Sequence, residues 1–149
     1  MRSDGSTAQV TAHRLVHCVL DSDSDGLTDA LETVVDQGDQ ELKAYVREVV
    51  AELIQVGATA VRQSVDPEER PAFAVDLRDA TNDPVSIDEL EPQVRATIRA
   101  LLADLNGSPE DAEFQLDLAV RQLDQLTGLE TVRRALTMTV ALLQWSGEA

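Results

Sequence analysis

Cysteine, histidine and lysine are almost missing from this 149-residue chain, which has one cysteine (Cys18), two histidines (His13, His17) and one lysine (Lys43). A single cysteine excludes an internal disulfide framework and any Cys-rich zinc module. No histidine follows His17 and no Glu-x-x-His pair occurs, which removes the ferritin-like diiron pattern. A glycine-rich phosphate loop, a serine nucleophile elbow and an H-E-x-x-H helix are all missing, so the chain reads as non-catalytic. No apolar run approaches the ~18 residues of a membrane helix. The first apolar stretch is broken by His13, Arg14 and His17, unlike the continuous core of a secretory signal, so the expected compartment is the cytoplasm.

Acid is abundant. Twenty-eight Asp and Glu face 12 Lys and Arg, for a formal charge of −16. That charge repels nucleic acid and anionic membranes, so neither is an expected partner. Acid excess with a single lysine fits a GC-rich genome, or a high-salt cytoplasm in which carboxylates keep the surface hydrated. It also fits an acidic decoy or inhibitor of a basic macromolecule. The apolar fraction, 43%, is enough for a packed core.

The apolar residues recur at helical spacing. After a loose segment over 1–7, a first helix is expected from Ala8 to Leu20, facing inward through Ala12, Leu15, Val16 and Val19. A second resumes at Leu27, Ala30, Leu31, Val34 and Val35 and stops at Gly38. A third spans Asp39 to Val65, with Leu42, Val46, Val49, Val50, Leu53, Ile54, Ala60 and Val61 on one face. The small pair Gly57-Ala58 lets another helix approach or the helix bend. Prolines bracket an irregular connection over 66–85, in which Phe73, Val75 and Leu77 are expected to pin onto the core. Ser86 and Glu89 fit a capping box, and the next helix is expected from Glu91-Pro92, with Val94, Ile98, Leu101, Leu102 and Leu105 inward.

Ser108-Pro109-Glu110-Asp111 starts a fifth helix whose face is Ala112, Leu116, Ala119, Val120, Leu123 and Leu126, ended by Gly128. The last helix, from Leu129 to about Trp145, is apolar on more than one side. The expectation is an all-α fold: one domain over 8–149, a bundle of about six helices.

One segment carries a chemical signature. Asp21-Ser22-Asp23-Ser24-Asp25-Gly26-Leu27-Thr28-Asp29-Ala30-Leu31-Glu32 reads D-x-D-x-D-G-x-x-D-x-x-E. Alternate positions of a tight loop point carboxylates at one centre, and hard oxygens suit calcium. In that reading Asp21, Asp23 and Asp25 supply carboxylates, Leu27 a backbone carbonyl, Asp29 a direct or water-mediated oxygen, and Glu32 two oxygens. The segment resembles an EF-hand loop and is similar to thrombospondin type 3-like calcium loops, over these twelve residues and their flanks. The resemblance implies a calcium-binding module. The same residues also fit a plain helix cap, with Ser24 or Asp25 capping a helix that starts near Leu27.

Weaker patterns read as structure. His13, His17 and Asp21 share one side of the first helix, and Cys18 beside its apolar face reads as a small buried residue. Met138, Leu142 and Trp145 on the doubly apolar last helix are the expected contact surface for a protein partner or a second copy of the chain. The leading functional expectation is therefore a non-catalytic acidic helical protein that acts in protein interaction or self-assembly.

Overall fold

The computed structural model describes residues 4–36, 39–65, 77–78, 81–121 and 123–147. Six α-helices occupy them: α1 (Asp4–Leu20), α2 (Ser24–Val35), α3 (Asp39–Gln63), α4 (Pro92–Leu105), α5 (Pro109–Ala119) and α6 (Gln125–Ser146). No β-strand occurs among the described residues, so the all-α expectation holds. No helix among them is long and apolar enough to cross a membrane.

The long helices α3 and α6 form the central pair. Helix α1 packs on α3 and carries α2, while α4 and α5 form a second close pair against α3. One buried cluster draws on all six helices, from Ala8 to Leu143. The helical faces read from spacing go inward as expected: Ala12, Leu15 and Val16 on α1, and Leu42, Val46, Val49, Val50, Leu53, Ile54, Ala60 and Val61 on α3 are all buried. On α6 the buried stripe is Val132, Leu136, Val140 and Leu143, joined by Thr131, Ala135 and Thr139.

Gly57 shows why α3 carries a small residue in mid-helix. A Cβ there would lie 2.9 Å from Leu142 Cδ1 and 3.7 Å from Thr139 Cα. The backbones therefore approach closely at the crossing, and a buried hydrogen bond joins them: the Thr139 hydroxyl donates to the Leu53 carbonyl at 2.9 Å. A second buried polar pair ties α1 to α3, with the Thr11 and Tyr45 hydroxyls 2.6 Å apart. Buried polar groups are tolerated when paired in this way. Arg47 on α3 bridges to α5 through Asp117, at 2.7 Å, and Glu113. Burial opposes the Arg47 charge, yet hydrogen bonds and attraction from both carboxylates raise its proton affinity above the ordinary arginine value. Lys43 adds a bond to the Arg121 carbonyl at 2.9 Å, and Arg62 ties α3 to Asp104 at the end of α4.

Several boundaries differ from expectation. Helix α1 starts at Asp4, inside the segment expected to be loose. Helix α5 stops at Ala119, and α6 starts at Gln125 rather than Leu129. The cause is a capping box: the Asp124 carboxylate accepts from the Thr127 N–H at 2.8 Å, and the Thr127 hydroxyl accepts from the Asp124 N–H at 2.9 Å. The Thr127 N–H, with the Thr127 hydroxyl 3.0 Å from the same carboxylate oxygen, holds the Asp124 carboxyl below the usual aspartate range. Gly128 therefore lies within α6 rather than ending α5. It faces α3, where a Cβ would meet Val46 Cγ2 at 3.4 Å. Leu126, expected inside, is 78% exposed because it belongs to the first turn of α6 and not to the α5 face.

At Ser86 the hydroxyl accepts from the Asp88 N–H, closing a 3-10 turn over Ile87–Glu89 rather than the expected box with Glu89. Ser108 occupies the N-cap of α5 but makes no side-chain cap bond.

The connection ahead of α4 is partly paired. Leu77-Arg78 lies antiparallel to Pro84-Val85 through an isolated bridge, and the Val85 N–H donates to the Leu77 carbonyl at 2.9 Å. Leu77 is half-buried, while Phe73 and Val75 lie outside the described residues.

Candidate functional site

The Asp-rich segment folds as a turn followed by a helix. Ser22 takes a left-handed conformation (φ 57°), and Asp23 becomes the N-cap of α2. Its carboxylate accepts from the Gly26 N–H at 3.0 Å. Gly26 is required by contact: a Cβ would fall 2.3 Å from Asp23 Oδ2 and 3.0 Å from the Cys18 Sγ. Cys18 is buried at this α1–α2 corner, as expected. The helix starts at Ser24, three residues ahead of the expected start, and the capping residue is Asp23 rather than Ser24 or Asp25.

This early start separates the expected ligands. Asp25, Leu27, Asp29 and Glu32 all lie on α2, where the Leu27 carbonyl points along the helix axis. Asp21, Asp23, Asp25, Asp29 and Glu32 are exposed, and the Leu27 side chain packs against the core. Among the described residues, no three His, Cys, Asp or Glu side chains converge on a point that could hold a metal ion. The histidine stripe is likewise dispersed on the surface, with His13 and His17 both exposed.

A cap and a ligand set differ in their mutational pattern. Asp23→Ala is expected to lower unfolding stability by about 1 kcal/mol, the usual loss for an N-cap. Asp21→Ala and Asp29→Ala are expected to stay within about 0.5 kcal/mol of the parent. Urea unfolding with and without calcium reads both. Comparable losses at all these acids, seen only with calcium, would instead make the segment a ligand set.

The expected surface on α6 is divided by the fold. Trp145 is 66% exposed, beyond the end of the packed region. Met138 and Leu142 are half-buried and form one wall of a cleft of about 850 Å³. Val94, Thr97, Ile98 and Leu101 of α4 form the facing wall, and Leu77, Val85 and Leu90 from the connection close one side. The polar lining consists of Arg78, Glu130, Arg133, Arg134 and the two hydroxyls of Thr97 and Thr137. Both hydroxyls donate within their own helix, Thr97 to the Gln93 carbonyl at 2.8 Å and Thr137 to the Arg133 carbonyl at 3.0 Å. Arg134 pairs with Glu130 at 2.9 Å, and Arg78 donates to the Asn82 carbonyl at 3.1 Å. A smaller groove of about 330 Å³ lies between α6 and the α1–α2 pair, lined by Val19, Leu27, Leu31, Leu136 and Val140, with Arg133 among its lining too.

Sequence reasoning singled out Met138 and Leu142 but not the arginines or the α4 wall. The signal was present as the Arg133-Arg134 doublet, one turn before Met138 on an apolar helix. The facing wall could not be read, because pairing α4 with α6 across a gap is a tertiary fact. No family model, no curated protein and no solved structure matches the chain.

Proposed function

We propose that this chain is a non-catalytic helical binding module whose working surface is the α4–α6 cleft. The observation that carries the reading is the position of Met138 and Leu142 on the wall of a largely apolar space of about 850 Å³. Ligand sites have volumes of roughly 300–1,000 Å³, with apolar walls and a few polar groups that fix orientation. Binding is favoured over catalysis because the cleft hydroxyls donate to their own helix carbonyls, and the glutamate there pairs with an arginine. A nucleophile set beside a base would have favoured the opposite conclusion. On this reading the interaction role expected for α6 falls to a concave site at Met138 and Leu142. The net charge of −16 disfavours nucleic acid and anionic membranes as partners.

An uncharged apolar dye tests this reading. Nile red is expected to bind the native chain saturably at one site, with a blue-shifted emission. Val94→Trp and Leu90→Trp, which place an indole in the cleft from half-buried positions, are expected to abolish that signal while the melting temperature is retained. Leu31→Trp, in the smaller groove, is expected to leave it unchanged. Saturable binding that survives both cleft variants would assign the dye to another surface and overturn the proposal.

A further inference from the structure

We infer that the α4–α6 cleft takes a single-chain amphiphile with a carboxylate head, the head at Arg133 and Arg134 and the tail against Met138 and Leu142. The inference rests on the cleft being the binding surface and adds the chemistry of its ligand.

The lining changes character along α6. Arg133 and Arg134 stand at one end, Thr137 and Met138 one turn on, and Leu142 two turns on. At 1.5 Å per residue, the rail from Arg133 to Leu142 is about 14 Å long. A cationic end followed by an apolar run matches a molecule with an anionic head and an apolar tail.

This chain has 28 acidic side chains for 12 basic ones, so carboxylate partners are plentiful. Arg47, Arg62, Arg99 and Arg134 form ion pairs. Arg133, like Arg14 and Arg121, makes no side-chain ion pair or hydrogen bond among the described residues, and of these three it is the one that borders the apolar cleft. Its guanidinium is a planar fork that matches a carboxylate through two parallel hydrogen bonds. Arg134, held by Glu130, adds a second positive charge beside it.

The acidic surface then selects for head size. A polyanion would meet the repulsion of the whole chain, whereas one carboxylate beside two guanidinium groups meets mainly the local field. The tail buries against Ile98, Leu101, Met138 and Leu142, and that apolar contact supplies most of the affinity.

The test displaces Nile red with dodecanoate and with dodecanol, both below the concentration at which they aggregate. Dodecanoate is expected to bind about tenfold more tightly than dodecanol, the gain of a charge-assisted hydrogen bond. In Arg133→Gln/Arg134→Gln the two are expected to displace the dye alike. Equal displacement by acid and alcohol in the parent would overturn the head-group assignment and leave the cleft as a binding site. So would a preference for the acid that survives in the double variant. Displacement by an acidic amphipathic peptide but not by dodecanoate would make the occupant a protein segment. Failure of Nile red to bind the parent would remove the cleft reading itself.

Discussion

Leu53→Ala is expected to lower the unfolding free energy by roughly 2–5 kcal/mol, the range for truncating a fully buried leucine. Leu53 is 0% exposed and lies in the α3 face that packs on α6. The substitution removes apolar contacts and leaves a cavity that rigid helices on both sides cannot fill. Total stability for a domain of this kind is about 5–15 kcal/mol, so this one change removes a large share. The Thr139 hydroxyl bonds the Leu53 carbonyl and not its side chain, so that bond persists in the variant. The expected signature is a shifted urea midpoint with an unchanged slope. Val10→Ala, at a position 61% exposed, serves as the control and should change stability by less than about 0.5 kcal/mol. A Leu53→Ala loss as small as that of the control would mean that α3 and α6 are not the centre of the core.

The legible part of this fold is the part that periodicity governs. All the apolar positions read on α3, from Leu42 to Val61, are buried, because a 25-residue helix leaves one stripe to hide and many repeats to define it. On α6 one apolar stripe, Val132, Leu136, Val140 and Leu143, is buried, and Met138 and Leu142 of a second apolar side line the cleft. Errors gathered where a residue type has two physical uses. Glycine ends helices, yet it also lets helices touch. Gly128 does the second, so the α5–α6 boundary was misplaced. The Asp124–Thr127 box that sets the true boundary is an Asp-x-x-Thr pattern, weaker as a written signal than the Ser-x-x-Glu pattern at Ser86, which forms a different turn.

The same ambiguity governs the Asp-rich segment. Aspartate ligates cations and also caps helices. The helix dipole favours carboxylates at its N-terminus, so a single cap at Asp23 suffices to draw the helix back to Ser24. From there, 3.6 residues per turn spread Asp25, Asp29 and Glu32 along the helix instead of wrapping them round a point. Spacing alone does not distinguish a loop from a helix when both place acids at the same positions in the chain. The arginines of the cleft were hidden for a different reason. Their significance depends on the cleft they border, and that cleft is set by tertiary neighbours.

Gly57→Leu should be the most informative single change, since it acts on stability and on the cleft together. The added Cβ would start 2.9 Å from Leu142 Cδ1 and 3.7 Å from the Thr139 backbone, and the rest of the leucine must go where α6 already sits. Leucine is the better helix former by just under ~1 kcal/mol, which favours the variant in isolation. Overpacking a tight helix crossing costs ~1–3 kcal/mol or more, and the close approach of the Thr139 backbone limits how far the strain can relax. The net expectation is a destabilised but folded chain, read as a lower melting temperature.

Leu142 is the side chain that must yield, and its free direction is into the cleft, which it already lines. Nile red uptake is therefore expected to fall well below that of the parent at temperatures where circular dichroism still shows full helix content. Gly57→Ala separates the two effects. Its single methyl asks only the end of Leu142 to shift, so most of the dye signal should remain. If Gly57→Leu folded with full dye uptake, Leu142 would not be the link between the α3–α6 crossing and the cleft. The wall would then be set by Met138 and the α4 side chains alone.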